Sequence, residues 1–256
     1  MNLNRFQRLT SKKVHWIDII NPNRVNIEFL RTKYNLPAPA LEELMRPSAR
    51  QKVDMGKNYM YLVLHLPIYQ PERLTSQALE VDFILTKRAL ISVRYEQFEP
   101  IDKFFISCSA DPKLAHKCLG KTPIELFFYL GEDIFDYLLR ELTHVNEKIN
   151  ALEEIIFQEK TKTLVKDLLY IKRDILVFRR LTREIQPILE SLKREIGEFF
   201  PGEYTSRLNA LLGQYLRVLH VVEDYKDSIE SLENTHSSVV DISMSTVMKE
   251  IGRAHV

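Results

Sequence analysis

The feature that most constrains this chain is a long heptad pattern near its C-terminus, from Glu203 to Ile251. One apolar row reads Leu208, Tyr215, Val222, Ile229, and a second reads Leu211, Val218, Tyr225, Leu232, Val239. Rows three and four residues apart define a seam along one side of a single helix, as in a coiled coil. No proline interrupts the stretch, and Gly213 is its only internal glycine. At ~1.5 Å per residue such a helix reaches roughly 70 Å, about twice the diameter of a small domain. One compact body cannot cover that length, so the spacing predicts a stalk packed on other helices of its own chain or of symmetry mates. The opposite side carries Arg217, His220, Asp224, Asp227, Ser231, Asn234, Ser238, Asp241 and Ser245, then turns apolar at Met248. A solvated helix surface is the ordinary reading of such a stripe. A polar wall along a shared axis is the sharper one. The helical pattern reaches Lys249-Glu250 without a proline or capping-glycine stop, so the end reads as a cut rather than a natural helix terminus.

Composition narrows the class. Lys+Arg 36 against Asp+Glu 35 gives a net charge of +1, so global charge does not point to nucleic acid. The two cysteines, Cys108 and Cys118, fit no zinc spacing. They read as buried thiols of a reducing compartment. No apolar run approaches the ~18 residues of a membrane span, and the first residues lack the apolar core of a secretion signal. The expectation is a soluble, cytoplasmic chain.

Nine of the eleven prolines fall at or before Pro123. That shift predicts an α+β organisation: an N-terminal α/β domain over residues 1–122, then a long-helix region over 123–256. Strands are expected at Val14 to Ile19, Asn58 to Leu66, Leu79 to Leu85 and Ala89 to Arg94, the last two joined as a hairpin through Thr86-Lys87-Arg88. Short helices are expected at Val25 to Tyr34, Pro37 to Met45, Phe98 to Cys108 and Pro112 to Leu119, covering a mixed sheet in an α/β/α arrangement. Two antiparallel helices follow at about 123–158 and 163–197, the second kinked at Pro187, and then the stalk from about 203 to 251.

Catalytic signatures are missing. The chain has no glycine-rich phosphate loop, no Gly-x-Ser-x-Gly elbow and no His-Glu-x-x-His pair. The reading is therefore not an enzyme, and no organic cofactor is implied. The basic second long helix (Lys172, Arg173, Arg179, Arg180, Arg183, Lys193, Arg194) has interspersed acids and no aromatic platform, so it reads as a solvated face and not as a nucleic-acid surface. Glu42 and Glu43 are the most interesting acidic pair, because oxygen ligands suit hard cations such as Mg²⁺.

Taken in order, the segments resemble the cytoplasmic part of the CorA family of divalent-cation channels, over about Val14 to Glu250. The matching residues are Trp16-Ile17-Asp18 with Pro22 following, Leu41-Glu42-Glu43-Leu44, Asn58-Tyr59, and Ile84-Leu85-Thr86-Lys87. Later come Arg183-Glu184-Ile185-Gln186-Pro187, Tyr225-Lys226-Asp227-Ser228-Ile229 and Val247-Met248-Lys249. The resemblance implies a homopentameric funnel on the cytoplasmic side of the inner membrane, whose last helix continues into the membrane through helices that lie beyond this sequence. It implies Mg²⁺ as the transported or regulatory ion, with Co²⁺, Ni²⁺ or Zn²⁺ as alternatives, since the family includes zinc-transporting relatives. Asn234, Ser237 or Ser238, Asp241, Ser245 and Met248 fall on the family's pore-lining face, with Met248 at the narrow apolar constriction. Glu43, with Glu42 beside it, matches one side of the family's regulatory cation site between subunits. Ala210 falls where the stalk acid is expected opposite it, so either the sensor is built differently, from Asp224 or Asp227, or this member lacks it. The Gly-Met-Asn signature and both membrane helices are absent from the sequence. A soluble helical scaffold that binds partner helices through the heptad seam is the rival reading.

Overall fold

The computed structural model describes residues 4–70, 73, 75–157, 164–200 and 202–254. Two strands open the chain, β1 (Arg5–Thr10) and β2 (His15–Ile20), followed by α1 (Arg24–Tyr34) and α2 (Ala38–Glu43). Four strands follow: β3 (Lys52–Met55), β4 (Tyr59–Gln70), β5 (Thr75–Thr86) and β6 (Ala89–Arg94). Next come α3 (Glu99–Ala110), α4 (Pro112–Leu119), α5 (Pro123–Phe157), α6 (Leu164–Phe199) and α7 (Thr205–Ala254). The expected fold class is the one observed. The turn expected near Gln158 to Lys162 lies outside the described residues.

The six strands form one mixed sheet in the order β1-β2-β6-β5-β4-β3. Only β2 and β6 run parallel; the other neighbours are antiparallel. The β5–β6 connection is the two residues Lys87-Arg88, without the Asn-Gly chemistry such turns favour. Thr86 supplies the missing restraint, its Oγ1 accepting from the Ala89 amide at 2.9 Å. Two strands went unread in the sequence. β1 alternates half-buried and exposed residues and is rich in arginine, and β3 is four residues long. Both are edge strands, where polar side chains are expected.

Each face of the sheet buries an apolar layer. Ile17, Ile19, Tyr61, Val63, Ile84, Ile91 and Val93 pack under Leu30, Leu36, Leu41 and Leu44 of the α1–α2 segment. Trp16, Leu62, Phe83 and Leu90 face the other way, into a core continuous with α3, α4 and the long helices. α1 starts where Asn23 and Asn26 form a reciprocal capping box and stops at Asn35, whose φ of 50° takes it out of the helix.

The long helices run up, down and up. Lys172 pairs with Glu233 at 2.6 Å and Arg183 with Glu223 at 2.7 Å, so α6 and α7 are antiparallel. Phe135 meets Tyr215 edge-on with ring centroids 5.9 Å apart, and Glu132 pairs with Arg207 at 3.2 Å, so α5 and α7 run parallel. A Cβ on Gly131 would sit 2.8 Å from Leu211 Cδ1, which shows how closely α5 approaches the stalk. α6 continues through Pro187 as one helix to Phe199. Gly202, at φ 143°, makes the reversal into α7, a conformation that L side chains rarely adopt.

α7 is 50 residues long, about 75 Å. Its seam is buried as the heptads predict, through Leu208, Leu211, Tyr215, Val218, Val222 and Ile229. Val239, also in the seam, is only half-buried. From Asp241 to Ile251 every residue is exposed, so the helix leaves the body and projects alone for about 16 Å.

Candidate functional site

Asp18, in the Trp16-Ile17-Asp18 segment, is fully buried and serves the fold rather than a ligand. Its Oδ2 accepts from Arg94 Nη2 at 2.8 Å and from Gln7 Nε2 at 2.9 Å, and its Oδ1 accepts from Ser92 Oγ at 2.7 Å. Arg94 also donates to both oxygens of Asp102, at 3.1 and 2.7 Å, and Arg5 pairs with Asp102 as well. The network ties β1, β2 and β6 to α3. Burial opposes ionisation of Asp102, but the hydrogen bonds from Arg94 and Arg5 outweigh it and hold the carboxyl below its ordinary value.

The Glu42–Glu43 pair ends α2 on a shallow surface groove shared with Pro39, Arg46, Ser48 and Lys52. Glu42 is exposed and Glu43 partly so. Lys52 of β3 reaches Glu43 Oε2 and Asp54 Oδ2 at 2.5 Å each, so Glu43 carries a cation from its own chain. Sequence reasoning missed this partner because it missed β3.

On α7 the predicted polar stripe is exposed throughout. Asp224, Asp227, Asn234, Ser238, Asp241, Ser245 and Met248 are all open to solvent, as is Ala210. The last five fall at steps of four, three, four and three residues, on one line of the helix. Asp227 Oδ1 lies 3.0 Å from Lys226 Nζ. Glu223, by contrast, is drawn back onto the body by Arg179 and Arg183. Burial alone would raise its carboxyl, and the two guanidiniums override that and lower it.

Within one chain these acids do not converge. Among the described residues no group of three or more His, Cys, Asp or Glu side chains is placed to hold a metal ion. The residues of Glu42–Glu43 and of Asp224–Asp227 sit on separate elements. Cys108 and Cys118 are buried and unbridged, as expected. No described helix is long and apolar enough to cross a membrane.

An α/β unit feeding three long helices, with the last one projecting beyond the body, defines the class. The family model for "CorA-like Mg2+ transporter protein" matches residues 11–251, and the chain belongs to that family. Its members are transporters, not enzymes. The cobalt/magnesium transport protein CorA of Thermotoga maritima is 21% identical over 236 residues, covering 91% of this chain and 66% of that protein. The chain therefore spans just under two thirds of that relative's length. The complete structure of the CorA magnesium transporter from Methanocaldococcus jannaschii superposes with a TM-score of 0.80 at 15% identity, over 94% of this chain and 74% of that one. The soluble domain of the same transporter gives 0.74 at 13% identity, over 88% of each chain.

Proposed function

We propose that this chain is the cytosolic funnel of a divalent-cation transport channel, with five copies arranged around the pore axis and α7 leading into the first membrane helix. The observation that carries this reading is the projecting end of α7. Its polar line through Ser238, Asp241 and Ser245 is exposed, and its last turns also expose Ile242, Val247 and Ile251. A lone soluble helix gains nothing from exposed apolar residues on such turns. Five copies side by side would bury those residues between subunits and leave the polar line on a shared conduit.

In that arrangement Asp241 forms a ring of five carboxylates that concentrates cations, and Met248 forms an apolar constriction where dewetting opposes passage. Mg²⁺ held between subunits by Glu42 and Glu43 on one side and Asp224 and Asp227 on the other would hold the stalks together. Its loss would let them splay, a population shift driven by differential binding to the two states. A zinc-transporting channel differs only in the ion.

Cysteine cross-linking tests the axis. Ser245 lies on the proposed conduit line and Ser243 lies about 200° away on the helix. In the membrane-embedded protein under mild oxidation, S245C links neighbouring subunits and S243C does not. Equal cross-linking of the two, or none from S245C, overturns the shared axis.

A further inference from the structure

The face of the sheet beneath α2 holds a polar cluster that the transport reading leaves unused. Pairing of β4 with β5 sets Val63 opposite Asp82 and His65 opposite Glu80, so Tyr61, His65, Glu80 and Asp82 share that face. Glu80 is a clamp: its two oxygens accept from the Ser48 amide at 2.9 and 2.7 Å, and Oε2 lies 3.1 Å from His65 Nε2. Through Ser48 it seats the loop between α2 and β3, which Tyr95 also holds by donating from its hydroxyl to the Leu44 carbonyl at 3.2 Å.

Asp82 is fully buried beside it. Its Oδ2 accepts from the Tyr61 hydroxyl at 3.1 Å, but its buried Oδ1 has no donor. Glu80 lies two residues along β5 on the same face and sets its charge against Asp82, and two ionised carboxylates have only acceptor lone pairs and no proton between them. Titratable groups face the pair from each neighbouring element. From β4 come Tyr61 and His65, from the end of β6 Tyr95, from α2 Glu43, and from β3 Lys52, whose ammonium is engaged by Glu43 and Asp54. An undonated oxygen against a second buried negative charge is costly, and one proton on Oδ1 removes both costs.

We propose that Asp82 and Glu80 share one proton, and that this proton is a pH-operated catch for the loop joining α2 to β3. Neutral Asp82 donates from Oδ1 to Glu80, which keeps its charge for the Ser48 amide. When the proton leaves, two adjacent carboxylates repel under the loop and the Ser48 clamp loosens. Burial, reinforced by the Glu80 charge, pushes the Asp82 carboxyl up from 3.8 to about 8. The sign follows from linkage. A carboxyl with a raised folded value contributes stability that is complete below its ordinary value, declines as the pH rises, and is gone above the folded value. Release is therefore alkaline.

The test is amide hydrogen exchange at Ser48 in the whole chain between pH 6.5 and 9.5, with carboxyl ¹³C NMR titration alongside. In the wild type the Ser48 protection factor falls by up to tenfold per pH unit as the pH rises towards about 8 and levels off above it, where the proton's stabilisation is gone. In D82N, whose amide donates to Glu80 and accepts from Tyr61 without titrating, protection stays flat across that range. A wild-type protection factor independent of pH, or a D82N variant that follows the wild type, overturns the proposal. Should D82N fail to fold, the wild-type carbon titration decides alone. One aspartate midpoint near 8 supports the shared proton, and a set of carboxyls all titrating below pH 6 rejects it.

Discussion

Arg94 Nη2 lies 2.8 Å from Asp18 Oδ2, and neither side chain has any exposed surface. The pair joins the two strands of the sheet that run parallel, and the same guanidinium reaches Asp102 of α3. Removing one partner leaves a buried charge uncompensated. Arg94→Met and Asp18→Asn are each expected to destabilise the chain by about 3–5 kcal/mol, read from urea unfolding midpoints at constant slope. The double substitution should cost less than the sum.

Asp102 gives the network an acid limb. Its folded carboxyl titrates below the ordinary 3.8 because the hydrogen bonds from Arg94 and Arg5 outweigh its burial. The stability it contributes is present above the ordinary value and is lost as the pH falls through the folded one. Asp102→Asn should flatten that part of the acid unfolding curve while leaving the neutral region shifted down by a constant amount.

Tyr215 separates packing from hydrogen bonding on the stalk. Its ring is fully buried against Phe135, while its hydroxyl is buried without a partner. Burial pushes the phenol up to about 12, so it is neutral across the working range. Tyr215→Phe removes an unsatisfied group and should be neutral or stabilising by up to ~1 kcal/mol. Tyr215→Ala should cost about 3–5 kcal/mol. Thermal unfolding of the two variants side by side is the measurement.

For the cation site, Mg²⁺ should protect the assembled protein from limited proteolysis. A Glu42→Ala, Glu43→Ala variant should lose that protection. Protection unchanged in the double variant removes the pair from the site. Lys52→Ala is the informative companion, since freeing Glu43 of its internal ammonium should lower the Mg²⁺ concentration needed for protection.

At the conduit, Asp241→Asn removes five charges from one level of the proposed ring. Cation flux in vesicles should fall several-fold at low ionic strength and recover towards wild type as salt screens the field. A flux that is unchanged at low salt places Asp241 away from the permeation path.

Much of the fold was legible because periodic burial leaves a periodic sequence. Leu208, Leu211, Tyr215, Val218 and Val222 announce their seam by spacing alone, and the proline shift at Pro123 marks where the sheet gives way to long helices. β1 and β3 were not legible, since edge strands put Arg8, Lys52 and Asp54 where a central strand would put valine. The same blindness reached the candidate site. Glu42 and Glu43 stood out, but Lys52, which pairs with Glu43, sits on the unread β3. Glu80 and Asp82 read as ordinary strand residues until the register with β4 set His65 and Tyr61 beside them. A contact between residues far apart in sequence leaves no local period to detect.

The eleven residues of α7 from Asp241 to Ile251 are all exposed. A helix end that extends past its packed body needs no new nucleus, but it lacks the tertiary packing that supplies most helical stability, so it is the part most ready to fray. Winding and unwinding of this tip is thus tied to whatever gathers beside it, and anything that draws the subunits together also straightens the rod. Secondary structure at one end of the chain becomes a readout of company at the other.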